Sequence, residues 1–500
     1  MTTRWWPVLA VLAVVLVLLA FIWLVPREGA ASMQESRVLP TAGLIFVAVF
    51  VVLAWAALFS GWPRRTRQLI VGGFIVAVVA FFALFRYRGV SGDLVPQFEM
   101  RFRAAPTDLE PAESGSLPGA SDYPQFLGVD RTAHVEGVRL ARDWSVAPPK
   151  LVWRRPVGRG WSGFAVSGGA AVTHEQHSAE ERVVRYELST GRVEWASREV
   201  AHFSNPISGE GPQATPTIAA GRVYAMGGTG LLTVLDLDSG KLLWKRDVFR
   251  ESGGEAPTWG NSDSPLLVDD LVVVNAGSAL SAYRADDGEL AWSAPGVSPA
   301  YASPVLATLA GVRQIVSFNA GNLTGHDPEE GTVLWSAEWP GQQPNVAQPL
   351  ILPGDRVLAS AGYGAGAKLF HVTASGAELV WESLRLKSKF AQFVYHEGYV
   401  YGLDDGILVC LDPDNGRRKW KGGRYGHGQL LLVGDLLLVQ GEHGDIILVE
   451  PAPEELRELT RFTVIDGKIW NTPALAGRYL LVRNDAEAAL FEMPVVASDM

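Results

Sequence analysis

The stretch from Leu232 to Trp244, LTVLDLDSGKLLW, contains the pattern that decides the fold. It joins an apolar strand to a second strand that carries a tryptophan, and the turn between them ends in Gly240, four residues before Trp244. A tight hairpin turn needs a positive φ, which glycine adopts without strain, while the Asp and Ser before it can bond to their own backbone. The stretch therefore predicts a β-hairpin whose second strand holds a large aromatic side chain at a fixed position.

The same hairpin recurs along the chain. Four more copies place Gly four residues before Trp, and a further copy, with Gly376 and Trp381, has one extra residue. The four regular copies are ELSTGRVEW ending at Trp195, RADDGELAW at Trp292, DPEEGTVLW at Trp335 and DPDNGRRKW at Trp420. Counted from Trp153, the steps between tryptophans are 42, 49, 48, 43, 46 and 39 residues. This period suits units of four short strands and is too long for leucine-rich or TPR-type repeats.

A second mark has the same period. A dipeptide ending in proline precedes the apolar strand of five units: Thr215-Pro216, Ser264-Pro265, Ser303-Pro304, Gln348-Pro349 and Thr472-Pro473. Proline fits only the first position of a strand or a sheet edge, so these pairs are predicted to begin the innermost strands.

The two ends of the repeat region complete one another. LVWRRPV at 151–157 is a Trp strand with no unit before it, and the strands of 473–493 have no Trp strand after them. A degenerate unit, RELTRF, lies near Thr460. Joining the ends gives an all-β fold, an eight-bladed β-propeller of four-stranded antiparallel blades, in which closure removes the exposed edges of an open array.

Three uncharged apolar runs near the N-terminus are each close to the length that a helix needs to cross a bilayer. We predict three transmembrane α-helices at about 5–25, 44–62 and 69–85, and hence a membrane domain over 1–88. Residues 104–121 lack aromatic and basic residues, so 89–121 is predicted to be a flexible linker before a propeller domain at 122–500.

The orientation is predicted from the short loop 63–68, which holds Arg64, Arg65 and Arg67. The positive-inside rule keeps this loop in the cytoplasm and places the propeller in the periplasm. A tally of every flanking arginine favours the opposite topology, but long domains are exported largely regardless of their charge.

Charge and cysteine content exclude several function classes. Residues 1–103 hold ten Arg and four acids, which leaves 33 basic and 49 acidic residues in the remainder. Nucleic-acid binding needs clustered Lys and Arg, so no nucleic-acid partner is predicted. One cysteine, Cys410, excludes an intramolecular disulfide and a cysteine-based metal cluster.

The repeated pattern resembles that of the quinoprotein propellers over about residues 122–493. This group comprises the pyrroloquinoline quinone (PQQ) dehydrogenases and the noncatalytic BamB-type assembly factors. DYPQFLGVDRT at 122–132 also resembles the lead-in of such proteins. The resemblance implies that the repeated tryptophans dock between neighbouring blades: Trp195, Trp244, Trp292, Trp335, Trp381 and Trp420. PQQ dehydrogenases hold PQQ and Ca²⁺ on the axis, usually beside a disulfide ring that this chain cannot form. Most BamB-type proteins are outer-membrane lipoproteins, and no cysteine near residue 20 or 30 can take a lipid here.

Polar and aromatic residues beside the proline marks are the candidate axial pocket. They are Trp259, Asn261, Asp263, Tyr301, Asn345, Gln392, Trp470 and Asn471. Asn and Asp can bind Ca²⁺ and Trp can support a flat ring, so PQQ and Ca²⁺ are candidate cofactors. The preferred interpretation is that these residues cap strands and fill the channel.

Three other motifs are read as structural. HEQH at 174–177 is one residue short of the zincin motif and lies in a predicted β segment, which disfavours a metalloprotease. GYGAGA at 362–367 lacks the helix and later acid of a dinucleotide site, so it is predicted to be a propeller loop. Cys410 lies within an apolar strand and is predicted to be a packed thiol.

The sequence therefore predicts a multi-pass inner-membrane protein whose periplasmic propeller is a noncatalytic scaffold or binding module for an envelope protein. The alternative is a PQQ-dependent alcohol or sugar dehydrogenase that passes electrons to membrane quinone. No catalytic residue and no metal ligand is assigned.

Overall fold

The computed structural model describes residues 6–24, 35–102, 117–254, 256–295, 301–339, 341 and 344–496. The chain divides into two compact units, Met1–Ala104 and Ala105–Met500.

The N-terminal unit contains three helices and a hairpin. The helices are α1 (Trp6–Leu24), α2 (Glu35–Leu58) and α3 (Arg64–Leu84). Within the described residues, Pro40–Leu58 and Arg64–Leu84 are long and apolar enough to cross a membrane, whereas Val8–Ile22 is a shorter apolar helix. The prediction of three spans is thus corrected to two candidates.

The helix boundaries also differ from the prediction. The second helix ends at Leu58, before a turn that contains Gly61 with φ of 69°, and α3 begins at Arg64 directly after Pro63. The arginine-bearing loop 63–68 is therefore largely the first turn of α3. Proline is favourable at the entrance to a helix, which explains why α3 starts here.

A two-stranded antiparallel hairpin, β1 (Phe85–Val90) and β2 (Pro96–Met100), follows α3 without a break. It lies partly inside the predicted linker 89–121, since β2 and the end of β1 fall within that range. Residues 103–116 of that linker lie outside the described residues.

The second unit is an eight-bladed propeller. Two early strands precede its first complete blade, β3 (His134–Val135) and β4 (Lys150–Pro156). Blade 1 consists of β5 (Ala165–Ser167), β6 (Ala170–His177), β7 (Glu180–Glu187) and β8 (Val193–Ala196), with β9 (Glu199–Val200) paired to β7. A small hairpin, β10 (Ser204–Asn205) and β11 (Gly209–Glu210), leads to blade 2.

Blades 2 to 4 are regular four-stranded sheets. Blade 2 consists of β12 (Thr217–Ala219), β13 (Arg222–Met226), β14 (Leu231–Asp236) and β15 (Leu242–Asp247), and is followed by the short helix α4 (Val248–Ser252). Blade 3 consists of β16 (Leu266–Val268), β17 (Leu271–Ala276), β18 (Ala279–Arg284) and β19 (Leu290–Pro295). Blade 4 consists of β20 (Val305–Leu309), β21 (Val312–Asn319), β22 (Asn322–His326) and β23 (Val333–Glu338).

Blades 5 to 8 continue this order around the ring. Blade 5 consists of β24 (Leu350–Leu352), β25 (Arg356–Ala361), β26 (Gly366–Thr373) and β27 (Gly376–Ser383). Blade 6 consists of β28 (Phe393–His396), β29 (Tyr399–Asp404), β30 (Ile407–Leu411) and β31 (Arg418–Arg424). Blade 7 consists of β32 (Gln429–Val433), β33 (Leu436–Gln440), β34 (Asp445–Glu450) and β35 (Arg457–Thr463), and β3 pairs with β32. Blade 8 consists of β36 (Ala474–Ala476), β37 (Tyr479–Arg483), β38 (Glu487–Glu492) and the early strand β4.

The pairing of β38 with β4 closes the ring as predicted, with Leu490 opposite Trp153. The five proline marks also stand where predicted, since each proline directly precedes an innermost strand. The core lies between successive blades, where the first three strands of each blade are buried and the outermost strand is largely exposed.

The repeated tryptophans pack against the next blade, and a glycine of that blade makes room for Trp195, Trp244, Trp292 and Trp381. The indole N–H of Trp195 donates to the carbonyl of Leu237 at 2.9 Å, and a methyl group on Gly240 would lie 2.6 Å from the Trp195 ring. The indoles of Trp244, Trp292, Trp381 and Trp420 likewise donate to a backbone carbonyl of the following blade. Docking between blades is thus confirmed for these five.

Trp335 is the exception among the predicted tryptophans. Its indole N–H donates to Oε1 of Gln314 within its own blade. The following blade is the one with the extra residue before its tryptophan, and no heavy atom lies within 4 Å of a methyl group placed on Gly376. Gly376 therefore does not contact Trp335, which still shares a buried cluster with Val357 and Phe370 of blade 5.

Two other predictions are confirmed by the strand bounds. GYGAGA at 362–367 falls at the turn between β25 and β26. Cys410 is buried in β30, and burial raises the pKa of its thiol to about 11.

Candidate functional site

Polar residues near the starts of the innermost strands form a ring around the propeller axis. From blade 2 to blade 8 they are Thr215, Ser264, Ser303, Gln348, Gln392, Gln429 and Thr472, and in blade 1 Gly163 takes part through its backbone N–H. The N–H of Gly163 donates to Oγ1 of Thr215 at 3.2 Å, and the N–H of Thr215 donates to Oγ of Ser264 at 3.0 Å. The N–H of Ser264 then donates to Oγ of Ser303 at 3.0 Å. Each hydroxyl thus accepts a hydrogen bond from the backbone of the preceding blade. In blades 5 to 7 a glutamine stands near the start of the innermost strand instead.

Three of the predicted residues lie together in a bonded chain across blades 3 to 5. Oδ2 of Asp263 accepts the N–H of Asn275 at 2.8 Å, and Nδ2 of Asn261 donates to the carbonyl of Asp263 at 3.2 Å. Nδ2 of Asn275 donates to Oδ1 of Asn319 at 2.8 Å, and Nδ2 of Asn345 donates to the carbonyl of Asn319 at 2.6 Å. Sequence reasoning missed Asn275 and Asn319, although both stand in an Asn-Ala-Gly triplet at the end of the second strand of a blade.

The other predicted residues are divided between two sides of the ring. Half-buried Trp259 and Tyr301 adjoin the bonded chain, with the N–H of Trp259 donating to Oη of Tyr301 at 3.4 Å. Trp470 and Asn471 precede blade 8, and Gln392 is buried at the start of blade 6. Five of the eight residues thus stand beside blades 3 to 5, and Gln392, Trp470 and Asn471 stand beside blades 6 to 8.

Four aromatic rings form an arc on the side of Trp470. The ring centroids of Trp470 lie 5.2 Å from Trp161 and 5.0 Å from Phe390, and Phe390 lies 5.6 Å from His427. Nζ of Lys468 is 3.8 Å from the centroid of Trp470 and 4.9 Å from that of Trp161, which are cation–π distances. The arc is thus already covered in part by a cation of the chain itself.

A buried glutamate supports this arc from within blade 7. Oε1 of Glu442 accepts the indole N–H of Trp470 at 2.9 Å, and its Oε2 accepts the N–H of His427 at 3.0 Å. Glu442 was not predicted, because it follows a strand end and lies beside no proline mark.

The segment before the first blade crosses the axis. Tyr123 pairs with Val166 in blade 1, and the carbonyl of Pro124 accepts the N–H of Ile218 in blade 2. His134 pairs with Leu432 in blade 7, and Arg131 bonds to blade 3, which lies opposite blade 7 in a ring of eight. We call residues 122–135 the axial plug. Since it contacts innermost strands on opposite sides of the ring, it occupies the centre of the propeller.

Arg131 is the central residue of the axial plug. Its guanidinium donates to the carbonyls of Ser264 at 3.0 Å and Pro265 at 2.9 Å in blade 3, while its own carbonyl accepts from Nε2 of Gln348 at 2.7 Å in blade 5. Arg131 has φ of 55°, and Leu127 and Ala133 also have positive φ. Left-handed conformations cost a non-glycine residue roughly 1–3 kcal/mol each, so surrounding contacts must hold this segment in place.

Burial dominates the electrostatics of the plug and its neighbour Asp263. It lowers the pKa of Arg131 to about 10, against the opposite charge of Asp263. It raises the pKa of Asp263 to about 7, against the hydrogen bond from Asn275 and the charge of Arg131. Asp263 is therefore a carboxyl group that ionises near neutral pH.

These residues do not fit Ca²⁺ and PQQ. Oδ1 of Asn261, Asp263 and Asn345 find no hydrogen-bond partner among the described residues, and such oxygens suit a hard cation. However, Asp263 is the only carboxylate among the predicted residues, and the guanidinium charge of Arg131 acts on it. No group of three or more His, Cys, Asp or Glu side chains in the described part of the chain could hold a metal. The plug also fills the axial position that a flat cofactor would need.

HEQH at 174–177 lies in β6, as predicted. It lies at the seam of the ring, which is the junction between blades 8 and 1. Oε2 of Glu175 accepts the N–H of Gly158 at 2.6 Å and contacts Nε2 of His177 at 2.8 Å. The fully buried Arg483 donates to Oγ1 of Thr173 at 2.8 Å and to the carbonyl of Gly158 at 2.8 Å. The motif therefore joins blades.

Two buried groups beside the seam have shifted pKa values. Burial lowers the pKa of His174 to about 4 and raises that of Glu181 to about 7. Nε2 of His174 lies 3.6 Å from Oε2 of Glu181.

Comparison with known proteins decides the family. The sequence profile described as outer membrane protein assembly factor BamB matches residues 143–251 and 179–422, which is more than half of the chain. The chain belongs to the BamB family. A BamB from Bordetella pertussis is 23% identical over 391 residues, covering 74% of this chain and 92% of that protein.

Other relatives match over shorter spans. BamB from Moranella endobia is 23% identical over 253 residues, and the match spans 47% of this chain and 63% of the relative. BamB from Yersinia pestis is 30% identical over 139 residues, which is 27% of this chain and 32% of that protein.

Solved structures agree with the propeller fold. BamB from Moraxella catarrhalis matches with a TM-score of 0.53 at 15% identity, covering 69% of this chain and 100% of that chain. A quinohemoprotein alcohol dehydrogenase from Comamonas testosteroni matches with a TM-score of 0.54 at 12% identity, covering 76% of this chain and 81% of that chain. At these identities the likeness concerns the fold alone, so BamB membership rests on sequence.

Proposed function

We propose that this protein is a membrane-anchored, noncatalytic BamB-family scaffold that holds envelope proteins on a periplasmic propeller. Its relatives are named outer membrane protein assembly factors, and the proposed partner is accordingly a protein of outer-membrane protein assembly. In this proposal the residues beside the axis hydrogen-bond neighbouring blades to one another and keep the ring rigid.

The noncatalytic part of the proposal rests on the axial plug, which occupies the centre of the ring. A dehydrogenase of this fold would need a cofactor at the centre of the ring, where Arg131 instead bonds to blade 3 and is held by Gln348 of blade 5. Asp263, the candidate carboxylate, accepts a backbone N–H and experiences the charge of Arg131. The unpaired oxygens of Asn261, Asp263 and Asn345 are the observation in favour of the dehydrogenase alternative, and the occupied axis weighs against it.

The anchoring part of the proposal rests on the N-terminal unit. Pro40–Leu58 and Arg64–Leu84 supply two apolar helices of sufficient length, and we propose that these two helices form an inner-membrane, multi-pass domain. Arg64, Arg65 and Arg67 at the start of α3 favour a cytoplasmic position for that end and a periplasmic position for the propeller.

Deletion of the gene in its native host tests the scaffold function. The outer-membrane level of β-barrel proteins should fall and should return with the wild-type gene. Purified full-length protein, titrated with PQQ and Ca²⁺, should show no saturable quenching of tryptophan fluorescence and no dye-linked alcohol or sugar oxidation. Unchanged β-barrel levels would refute the scaffold, and binding with turnover would establish the dehydrogenase instead.

A further inference from the structure

The hairpin that follows α3 has one apolar face and one charged face. Residues paired across antiparallel strands point to the same side of a sheet, and successive residues alternate. Phe85 is paired with Met100 and Tyr87 with Phe98, so these four share a face. The intervening pair, Arg86 with Glu99, points to the opposite face.

The apolar face is open. Tyr87, Phe98 and Met100 are 44%, 43% and 51% exposed, and Phe102 just beyond β2 is 74% exposed. The rings of Tyr87 and Phe98 lie edge to face with centroids 5.9 Å apart. A single two-stranded hairpin is marginal in water, and an aromatic surface of this kind on it indicates an interaction surface.

The charged face is organised around one glutamate. Oε2 of Glu99 lies 2.9 Å from Nη2 of Arg86 and 3.0 Å from Nε of Arg88. Two guanidinium groups are thus held beside one carboxylate on this face. Guanidinium groups match phosphate oxygens in charge and in hydrogen-bond geometry.

The apolar face continues the surface of α3. The ring of Phe81 lies 5.0 Å from the rings of both Phe85 and Phe98. Arg101 donates its N–H to the carbonyl of Leu84 at 2.7 Å and its Nε to the carbonyl of Phe82 at 3.0 Å. The hairpin is therefore fixed to the end of a helix long enough to cross a membrane, at the level where hydrocarbon gives way to headgroups.

We propose that residues 85–102 form an interfacial hairpin that lies on the bilayer at the end of α3. Tyr87, Phe98, Met100 and Phe102 face the acyl chains, while Arg86 and Arg88 face the lipid phosphates. Aromatic residues favour this boundary, and arginine complements the headgroups. The inference rests on the proposed membrane anchoring, and it identifies a lipid-binding surface beyond the spanning helices.

Spin labels on the full-length protein in phosphatidylcholine and phosphatidylglycerol vesicles test this surface. In a Cys410→Ser background, labels are placed at Phe98→Cys on the apolar face and at Gln97→Cys on the charged face. Val76→Cys on exposed α3 serves as the lipid reference, and Asp238→Cys as the aqueous one. The ratio of collisions with oxygen to collisions with a water-soluble nickel chelate should be several-fold higher at 98 than at 97, and close to the value at 76.

The outcomes separate the two proposals. If the label at 76 is in lipid but the labels at 97 and 98 both resemble the aqueous reference, the interfacial hairpin is refuted and the anchoring stands. If the label at 76 is itself aqueous, the anchoring proposal fails. Tyr87→Cys, on the same face as Phe98, repeats the measurement should the first variant misfold, and it should also report lipid.

Discussion

Trp153 stands directly opposite Leu490 in the antiparallel pair of β4 and β38. Trp153 is 1% exposed, and its indole N–H donates to the carbonyl of Leu188 in blade 1 at 2.8 Å. One side chain therefore both completes blade 8 and fastens it to blade 1, so the stability of the ring should depend on it.

Replacing Trp153 with Ala should cost about 3–5 kcal/mol in the free energy of unfolding, because a large buried ring is lost. Trp153→Phe keeps most of the packing and loses the hydrogen bond, so we expect a smaller loss. Urea denaturation of the full-length protein in detergent, followed by circular dichroism, measures both. Equal losses for Ala and Phe would show that ring packing is not the main contribution.

Gly240→Ala and Gly221→Ala form a matched pair in blade 2. Both glycines have positive φ, 67° and 71°, but a methyl group meets the ring of Trp195 at 2.6 Å only at Gly240, and nothing within 4 Å at Gly221. Backbone strain alone should cost about 1–2 kcal/mol at Gly221. Gly240→Ala should cost clearly more, because the indole must also move. The same denaturation experiment measures both losses. Similar losses for Gly240→Ala and Gly221→Ala would show that the contact with Trp195 adds nothing to the cost.

Asp263 should make stability depend on pH. Burial raises the pKa of Asp263 in the folded state to about 7, from an ordinary value of 3.8. Between these two pH values the folded state keeps a proton that the unfolded state has lost. The free energy of unfolding therefore falls as pH rises from about 4 to about 7 and levels off above that window.

Asp263→Asn should remove that contribution, so the free energy of unfolding of the variant should exceed that of wild type by roughly 4 kcal/mol at pH 8 and by little at pH 4. Asp238→Asn, an exposed carboxylate, is the control and should follow the wild-type profile. A constant difference between Asp263→Asn and wild type across this pH range would contradict the assignment.

Arg483→Met should open the seam between blades 8 and 1. The guanidinium of Arg483 is fully buried and bonds to Thr173 and Gly158. Its positive charge also stabilises the buried carboxylate of Glu175. Removing it should lower the free energy of unfolding by about 3–5 kcal/mol. Arg478→Met removes an ion pair with Glu492 that is about one-third exposed, and should cost less than about 1 kcal/mol. Hydrogen exchange should show faster opening of β4 and β38 in Arg483→Met only.

The propeller could be predicted because its signals are local and repeated. The Gly-to-Trp spacing and the proline marks each fix one position in every blade, and the unmatched ends around Trp153 and Leu490 predict closure. The extra residue before Trp381 also marked the one irregular docking site, although it did not reveal that Trp335 would bond to Gln314 instead.

The axial plug could not be predicted, because the bonds of Arg131 reach residues more than 130 positions away. The segment 122–135 has no periodic pattern of residues that would predict such contacts. The hairpin at 85–100 did carry a signal, since FRYRGV and QFEMR alternate apolar and charged residues. Its arginines were instead attributed to the flank of a membrane span.

The sharing of blade 8 between β4 and β36–β38 has a consequence for biosynthesis. A ribosome produces β4 first and its partner β38 only after the seven other blades have been made. Until then β4 has no partner strand, and the open edges at the seam are able to pair with other chains. The ring therefore cannot be completed before Glu492 emerges, and a holdase that shields β4 would be most needed in this interval.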